Sequence, residues 1–252
     1  MGRITETVKI LLIVNIIFYI GANFMIPNAY ELFSLYFFEN PNFQFWQPVT
    51  HMFMHGQLQY GGITHILFNM YALWAFGSPL EQMWGRNKFL FFYLSAGIGA
   101  AMIHSLVNYY HFQAGYDALI QAGLSTAEIQ NILTTGQYRT DLLNTISKET
   151  LQSFFEAYNV PAVGASGAIY GILVAFGMMF PNVELFLIFV PIPIKAKVFI
   201  PILILIDLFS GLTGFSLFGG GIAHWAHIGG ALFGFIMMWY WKKNSFNQNR
   251  WY

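Results

Sequence analysis

The chain contains no cysteine and few charged residues. The lack of cysteine excludes disulfides, a thiol nucleophile and a cysteine-based metal site. Charged residues make up 9% of the chain, against about 25% in an average soluble domain. Because the formal net charge is zero, nothing in the composition indicates a nucleic-acid partner. Hydrophobic residues account for 56% of the chain, a share that is typical of a protein embedded in the lipid bilayer.

Six apolar stretches along the chain are each about 20 residues long, the length of a helix that crosses the hydrocarbon core. They predict transmembrane helices at about 9–26, 64–83, 89–107, 162–180, 198–217 and 222–241. The apolar run 185–194 is too short to span and contains two prolines, so we expect a re-entrant or interfacial connection there. The first stretch lacks a small-residue cleavage site, which favours a permanent anchor over a removed signal peptide.

The basic residues indicate how these helices are oriented. Nine of the eleven fall on one side of the membrane: Arg3, Lys9, Arg86, Lys88, Lys195, Lys197, Lys242, Lys243 and Arg250. The positive-inside rule therefore places both termini in the cytoplasm.

Residues 28–63 read as an interfacial loop. We predict one all-α domain over 1–252, a polytopic six-helix bundle with a helical extracytoplasmic insertion at 111–158, between the third and fourth spans.

Two of the spans carry a serine and a histidine bracketed by glycines. The fourth span opens with Gly-Ala-Ser-Gly around Ser166, and the sixth contains Ala-His-Ile-Gly-Gly around His227. An ionisable histidine is costly in hydrocarbon, so its default interpretation is a functional site facing a polar cavity. Both spans descend from the extracytoplasmic side, which puts the two side chains at a similar depth. We therefore predict a nucleophile, Ser166, and its general base, His227.

Further residues fit the same layer of the membrane. His65 and Asn69 lie four positions apart near the start of the second span, hence on one helix face. Together with the backbone N–H of Ser166 they are candidate donors to the oxyanion that forms when a serine attacks an amide. Tyr170, one turn below Ser166, can stack on the imidazole of His227.

Small residues on the fourth and sixth spans predict close helix packing. Gly167 and Gly171 form a small-xxx-small pattern, and Gly230 and Gly234 repeat it. Such patterns let two membrane helices approach closely. No acidic residue is placed to act as a third catalytic member, so we expect a Ser–His dyad. Asp207, in the fifth span, is assigned to packing or gating.

The remaining histidines leave a metal site as the alternative. His51 and His55 are four apart, and His224 stands three positions before His227. The HExxH pattern of zinc proteases is absent, however, and we expect neither a metal nor another cofactor. These three histidines are interpreted as structural or interfacial.

At these motifs the chain resembles the rhomboid family of intramembrane serine proteases, over about 46–234. The GxSG motif of that family is matched by Gly164, Ser166 and Gly167, and its AHxxGxxxG motif by Ala226, His227, Gly230 and Gly234. Its HxxxN pair is matched by His65 and Asn69, and its GxxxE element by Gly77 and Glu81. The Trp-Arg dipeptide of the family's first loop appears here as Trp46-Gln47, without the arginine credited with structural bonds in that loop.

The resemblance implies an intramembrane serine endopeptidase that acts near the extracytoplasmic face of the bilayer. Its substrates would be single-span transmembrane proteins whose helices locally unwind, and a polar cavity would admit water to Ser166. The resemblance also favours a bacterial inner membrane. The alternative is a non-catalytic rhomboid relative that binds transmembrane clients; such relatives typically lack the serine or the histidine.

Overall fold

The computed structural model describes residues 3–187, 190–216 and 221–244. The chain is mostly helical. Its α-helices are α1 (Glu6–Ile20), α2 (Ala29–Phe33), α3 (Gln47–Thr50), α4 (Gly62–Ala72), α5 (Ser78–Trp84), α6 (Arg86–Gln121), α7 (Thr126–Thr135), α8 (Lys148–Asn159), α9 (Ser166–Met179), α10 (Ala196–Thr213) and α11 (His224–Asn244). Two π-helical segments extend α1 and join α4 to α5, Gly21–Met25 and Leu73–Gly77. Short 3₁₀ segments are His51–Phe53, Leu58–Tyr60 and Thr140–Asn144.

Among the described residues, three helical segments are long and apolar enough to cross a membrane, namely Glu6–Met25, Arg86–Gln121 and Ala196–Thr213. Ser166–Met179 is a shorter apolar helix. Helices also lie at the predicted second and sixth spans. The end of the predicted fifth span at Leu217, and Arg250 beyond the sixth, lie outside the described residues.

The largest difference from the predicted spans is the length of α6. The sequence predicts a span that ends near residue 107, but the helix continues to Gln121. The hydropathy falls near residue 107, whereas the next residue along the chain with a left-handed backbone is Gly123, with φ of 85°. Hydropathy therefore marks where an apolar stretch ends, and the glycine marks where the helix ends.

The segment 111–158 builds a hydrophobic core of its own. Its helices α7 and α8 pack with the end of α6 around Phe112, Leu119 and Phe154, and Phe37 from the first loop joins them. A capping box begins α7: the Ser125 hydroxyl accepts from the Glu128 N–H, and the Glu128 carboxylate accepts from the Ser125 N–H. Each satisfies a backbone donor that the start of α7 would leave unpaired.

One connection of this mostly helical fold is not helical. Residues between α9 and α10 form two antiparallel strands, β1 (Glu184–Leu187) and β2 (Val190–Lys195), with Glu184 opposite Lys195 and Leu185 opposite Ile194. This region was predicted to be a re-entrant or interfacial connection. Its two prolines, Pro191 and Pro193, have no N–H to donate to a neighbouring strand. A two-stranded hairpin tolerates them because each of its strands has one unpaired edge.

Helix α9 lies at the centre of the described fold, packed between α6, α11 and α10. Every residue from Gly167 to Phe176 is buried, as expected of a helix that is apolar on all sides. The predicted close packing of α9 on α11 is confirmed. A Cβ on Gly234 would lie 2.6 Å from the Gly171 Cα, so the two backbones are in direct contact.

Glu81 is a buried polar side chain that joins α5 to the start of α1. The Glu81 carboxylate, on α5, accepts hydrogen bonds from the N–H groups of Thr7 (2.8 Å) and Val8 (2.9 Å) and from the Thr5 hydroxyl. It thereby caps the first turn of α1. Gly77, at the other end of the GxxxE element, leaves room for the side chain of Val8, which a Cβ there would meet at 3.2 Å.

Gln47 takes over structural bonds in the first loop, where the family pattern has arginine. Its side chain is fully buried. The amide nitrogen donates to the carbonyl oxygens of Asn42 (2.8 Å) and Glu31 (3.0 Å), and the amide oxygen accepts from the Tyr36 N–H (3.2 Å). The departure from the family dipeptide therefore leaves the loop internally hydrogen-bonded.

Candidate active site

Ser166 and His227 meet across the contact between α9 and α11. The hydroxyl oxygen of Ser166 lies 2.8 Å from Nε2 of His227, a hydrogen bond between residues 61 positions apart in the chain. The contact is possible because glycines face each other just below it: a Cβ on Gly230 would lie 1.8 Å from the Gly167 carbonyl oxygen. Both side chains are partly exposed at the surface of the bundle.

His65 reaches the same place from α4. A Cβ on Gly164 would stand 3.0 Å from His65 Nε2 and 3.4 Å from the Ser166 hydroxyl oxygen, so the backbone at residue 164 fits between them. Gly164 has φ of 128°, a conformation that side chains rarely allow. The first glycine of the GxSG motif is thus required both by backbone conformation and by space.

The protonation of His65 follows from its neighbour. The Gly56 N–H donates to Nδ1 of His65 at 3.3 Å, so Nδ1 carries a lone pair and Nε2 carries the hydrogen of the neutral ring. This hydrogen is directed to the side of the ring that lies beside Gly164. Asn69, one turn along α4, is buried, and its amide donates to the His65 carbonyl at 2.9 Å. One hydrogen of that amide group remains for another acceptor.

Tyr170 stacks on His227, as the sequence predicts. The ring centroids are 4.2 Å apart and the planes are inclined by 11°. Face-to-face contact of this kind restricts rotation of the imidazole about its Cβ–Cγ bond. It also covers one side of the ring with an apolar surface.

The expectation that no acid stands beside the histidine is wrong. Oδ1 of Asp207, on α10, lies 3.0 Å from Nδ1 of His227 and 2.5 Å from Nδ1 of His224. Oδ2 accepts a hydrogen bond from the Tyr170 hydroxyl. Asp207 is 5% exposed. The signal for this residue was present in the sequence, because an acid inside an apolar span is by default a functional residue with a partner.

The same cluster has the composition of a metal-binding group. One ligand atom each from Asp207, His224 and His227 lies within 4.8 Å of the others, and two histidines with a carboxylate suit zinc. Asp207 is also hydrogen-bonded to both histidines, and His227 to Ser166, so each of the three side chains has a partner without an ion. Absence of a metal thus stays a prediction.

The fold and the site together define a helical, multi-pass membrane protein that holds a serine–histidine pair inside its bundle. A family model, the Rhomboid domain, matches residues 42–140 and 140–244. Since these ranges cover most of the sequence, the chain belongs to the rhomboid family. The two matches meet at residue 140, inside the segment between α6 and α9.

Curated relatives carry the same family name. Rhomboid protein 1, mitochondrial, of Saccharomyces cerevisiae is 25% identical over 179 residues, which cover 71% of this chain and 38% of the yeast protein. Presenilin-associated rhomboid-like protein, mitochondrial, of Homo sapiens is 28% identical over 179 residues, 71% of this chain and 34% of the human protein. Rhomboid protease GluP of Bacillus subtilis is 40% identical over 55 residues, 22% of this chain and 10% of GluP.

The chain thus spans between a third and two fifths of the length of the mitochondrial relatives it matches over most of its own length. These names weigh against the bacterial inner membrane that the resemblance favoured. What the family match supports is a multi-pass protein embedded in a membrane.

Proposed function

We propose that this protein is an intramembrane serine endopeptidase that cleaves transmembrane segments of membrane-anchored proteins. The observation that carries the proposal is the 2.8 Å contact between the Ser166 hydroxyl and His227 Nε2. It occurs in a member of a family that includes serine proteases and that acts on transmembrane substrates within the bilayer. A Ser–His pair at this distance is suited to nucleophilic catalysis.

In the proposed reaction, the Ser166 oxygen attacks the carbonyl carbon of the scissile peptide bond, and its proton passes to Nε2 of His227. The tetrahedral intermediate then collapses, the C–N bond breaks, and His227 returns the proton to the departing amine. Water, activated by His227 in the same way, hydrolyses the acyl-enzyme and restores the serine. General-base help of this kind contributes typically about 10²–10⁴-fold to the rate.

The oxyanion would lie between α9 and α4. Ser166 is the first residue of α9, and the first N–H groups of a helix have no partner within it. The positive end of the helix dipole also favours negative charge there. Nε2–H of His65 is a further donor on this side, and the second amide hydrogen of Asn69 is another. Each donor of this type is worth roughly 3–4 kcal/mol in the transition state.

The substrate class follows from the location of the pair. The site lies at the end of α9 that begins with Ser166, and Ser166, His65 and His227 are all partly exposed. A single-span helix that unwinds locally can present its backbone there, at a place where water can enter to hydrolyse the acyl-enzyme. A segment that stays helical cannot, because its carbonyls are already bonded within the helix.

The arrangement in the membrane is part of the proposal. Six spans in one domain over 1–252, with both termini on the side rich in basic residues, put Ser166 near the opposite face. The segment 111–158 would then stand outside the membrane on that face. No cofactor is required. The mitochondrial names of the relatives favour an organelle membrane over a bacterial one.

A fluorophosphonate probe tests the nucleophile directly. Wild-type protein in its membrane should be labelled, whereas Ser166→Ala should not, and His227→Ala should be labelled far more slowly. A second, cleavage-based arm uses a single-span substrate and follows the appearance of its two fragments. Ser105→Ala is the matched control, since it removes another serine hydroxyl, on α6, and should leave labelling intact.

Two outcomes would support other functions. A wild-type protein that takes no label and cleaves no substrate would favour the non-catalytic relative that binds transmembrane clients. Loss of cleavage in the presence of a chelator, with recovery on adding zinc, would favour a metal enzyme built on Asp207, His224 and His227.

A further inference from the structure

Asp207 is a buried acid that three side chains from two other helices approach at once. Its carboxylate stands on α10 and contacts Tyr170 on α9 and both His224 and His227 on α11. A buried carboxylate is costly unless it is hydrogen-bonded on both oxygens. Here both oxygens are satisfied, and the partner of greatest consequence is the imidazole that contacts Ser166.

The geometry fixes which nitrogen of His227 carries the proton. An ionised carboxylate only accepts hydrogen bonds. Nδ1 of His227, 3.0 Å from Oδ1 of Asp207, must therefore be the N–H of the neutral ring. The lone pair then lies on Nε2, 2.8 Å from the Ser166 hydroxyl. Only this tautomer can take the serine proton, and without the acid the ring has no bond that selects it.

The negative charge of Asp207 also stabilises the imidazolium that His227 becomes during the reaction. When His227 takes the proton it becomes a cation in a poorly solvated place, and an anion already stands on its far side. Coulomb attraction between such neighbours is strong in a medium of low dielectric constant. Because the carboxylate is held by Tyr170 and His224 before the reaction, little reorganisation is needed.

We infer that Asp207 is the positioning residue for the catalytic base, so that the site operates as a Ser166–His227–Asp207 relay rather than as a dyad. The inference rests on the proposed function. It requires no proton on the carboxylate at any step, since the acid only orients the ring and stabilises the imidazolium.

Asp207 binds His224 as well as His227. Nδ1 of His224 donates to the same Oδ1, and its Nε2 lies 3.2 Å from the Ser216 hydroxyl in the connection to α11. In the part of the chain that the structure describes, the ionisable groups that face His227 are Asp207 and Tyr170 in direct contact, His224 at a ring distance of 6.4 Å, and the more distant His65 and His104. Asp207 is the acid among them.

The test compares Asp207→Asn, Asp207→Leu and Asp207→Glu with wild type. For Asn, the amide oxygen can still face the two histidines, so the charge is lost while much of the geometry stays. We expect kcat to fall by roughly 10²–10⁴-fold with little change in KM. We also expect the acidic limb of the pH–activity profile to move to lower pH, because the anion that favours the protonated imidazole is gone. Asp207→Leu should lose at least as much, and Asp207→Glu should recover part of the rate.

Ser210→Ala is the matched control, because it removes a buried hydroxyl one turn along the same helix. It should leave kcat and the pH profile unchanged. Thermal unfolding in detergent identifies any variant that fails to fold, and fluorophosphonate labelling rates give a readout that is independent of substrate binding. A purely structural Asp207 would lower the unfolding temperature without moving the pH profile.

The outcomes separate this inference from the proposed function. If wild type is labelled at Ser166 and Asp207→Asn keeps its rate and pH profile, the relay is wrong and the protease assignment stands. If wild type is not labelled at all, the proposed function fails first. Loss of wild-type activity with a chelator would reassign Asp207 to a metal and overturn the relay.

Discussion

A Cβ atom on Gly230 would lie 1.8 Å from the carbonyl oxygen of Gly167. The backbones of α11 and α9 therefore touch at the level just below Ser166 and His227. No side chain can be added there without separating the two helices, and the hydrogen bond of the proposed catalytic pair depends on their separation.

We expect Gly230→Ala to push α11 away from α9 and lower activity by about 10²-fold or more, the cost of misplacing reacting groups by roughly 1 Å. The measurement is the fluorophosphonate labelling rate of Ser166. Gly21→Ala is the control, since the nearest atom to a Cβ there is 3.9 Å away. Wild-type labelling of Gly230→Ala would show that close helix contact is dispensable.

Glu81 should be a strong contributor to stability. Its carboxylate caps the first turn of α1 through the N–H groups of Thr7 and Val8. Glu81→Ala leaves these buried donors unpaired and should cost about 2–3 kcal/mol of unfolding free energy. Thermal or denaturant unfolding in detergent gives the value.

Glu6→Ala is the matched control for that experiment. Glu6 is an acid in the same first turn, but its side chain is 75% exposed and pairs with Arg86 only at 3.7 Å. An exposed pair of this kind is worth about 0–1 kcal/mol. Equal losses from the two variants would mean that Glu81 acts through its charge alone and not as a cap.

Gln47 is predicted to order the first loop. Gln47→Leu leaves the carbonyls of Glu31 and Asn42 without their donor, and should cost about 1–3 kcal/mol. The loop should also become more sensitive to limited proteolysis. Gln59→Leu, at an exposed position of the same connection, should change neither property; similar cleavage of both variants would argue against a structural role for Gln47.

His55 should make stability depend on pH. It precedes α4, is 1% exposed, and its ring nitrogens have no hydrogen-bond partner among the described residues. Burial, and then the nearby His65, lower the pKa of His55 from 6.5 to about 3. The unfolded chain therefore binds a proton below pH 6.5 that the folded protein does not, and this contribution to stability is present above pH 6.5 and lost as the pH falls towards 3.

His55→Phe removes that titration and keeps an aromatic ring beside His65, which the imidazole meets edge-on at 5.0 Å. The unfolding temperature of this variant should vary less between pH 7 and pH 4.5 than that of wild type. Parallel curves for the two proteins would contradict the prediction.

Motifs located the candidate site because its chemistry is encoded locally. The glycines around Ser166 and His227, the four-residue spacing of His65 and Asn69, and the small-xxx-small pairs are all periodic features of single helices. The orientation in the membrane is predicted from the basic residues alone. The length of α6 was missed because hydropathy reports the boundary of lipid, whereas helix ends are set by backbone conformation, here at Gly123.

The sequence by itself determined that an apolar, helical chain carries a serine and a histidine at matching depth, since periodicity, glycine spacing and charge asymmetry act within single segments. Only the tertiary structure decided that Asp207 turns towards His227 and that Gln47 supplies the bonds of its loop. Both depend on how one element is rotated against others distant in the chain. A helix in lipid has the same hydropathy whichever way its one acid faces, so its direction is set by packing alone.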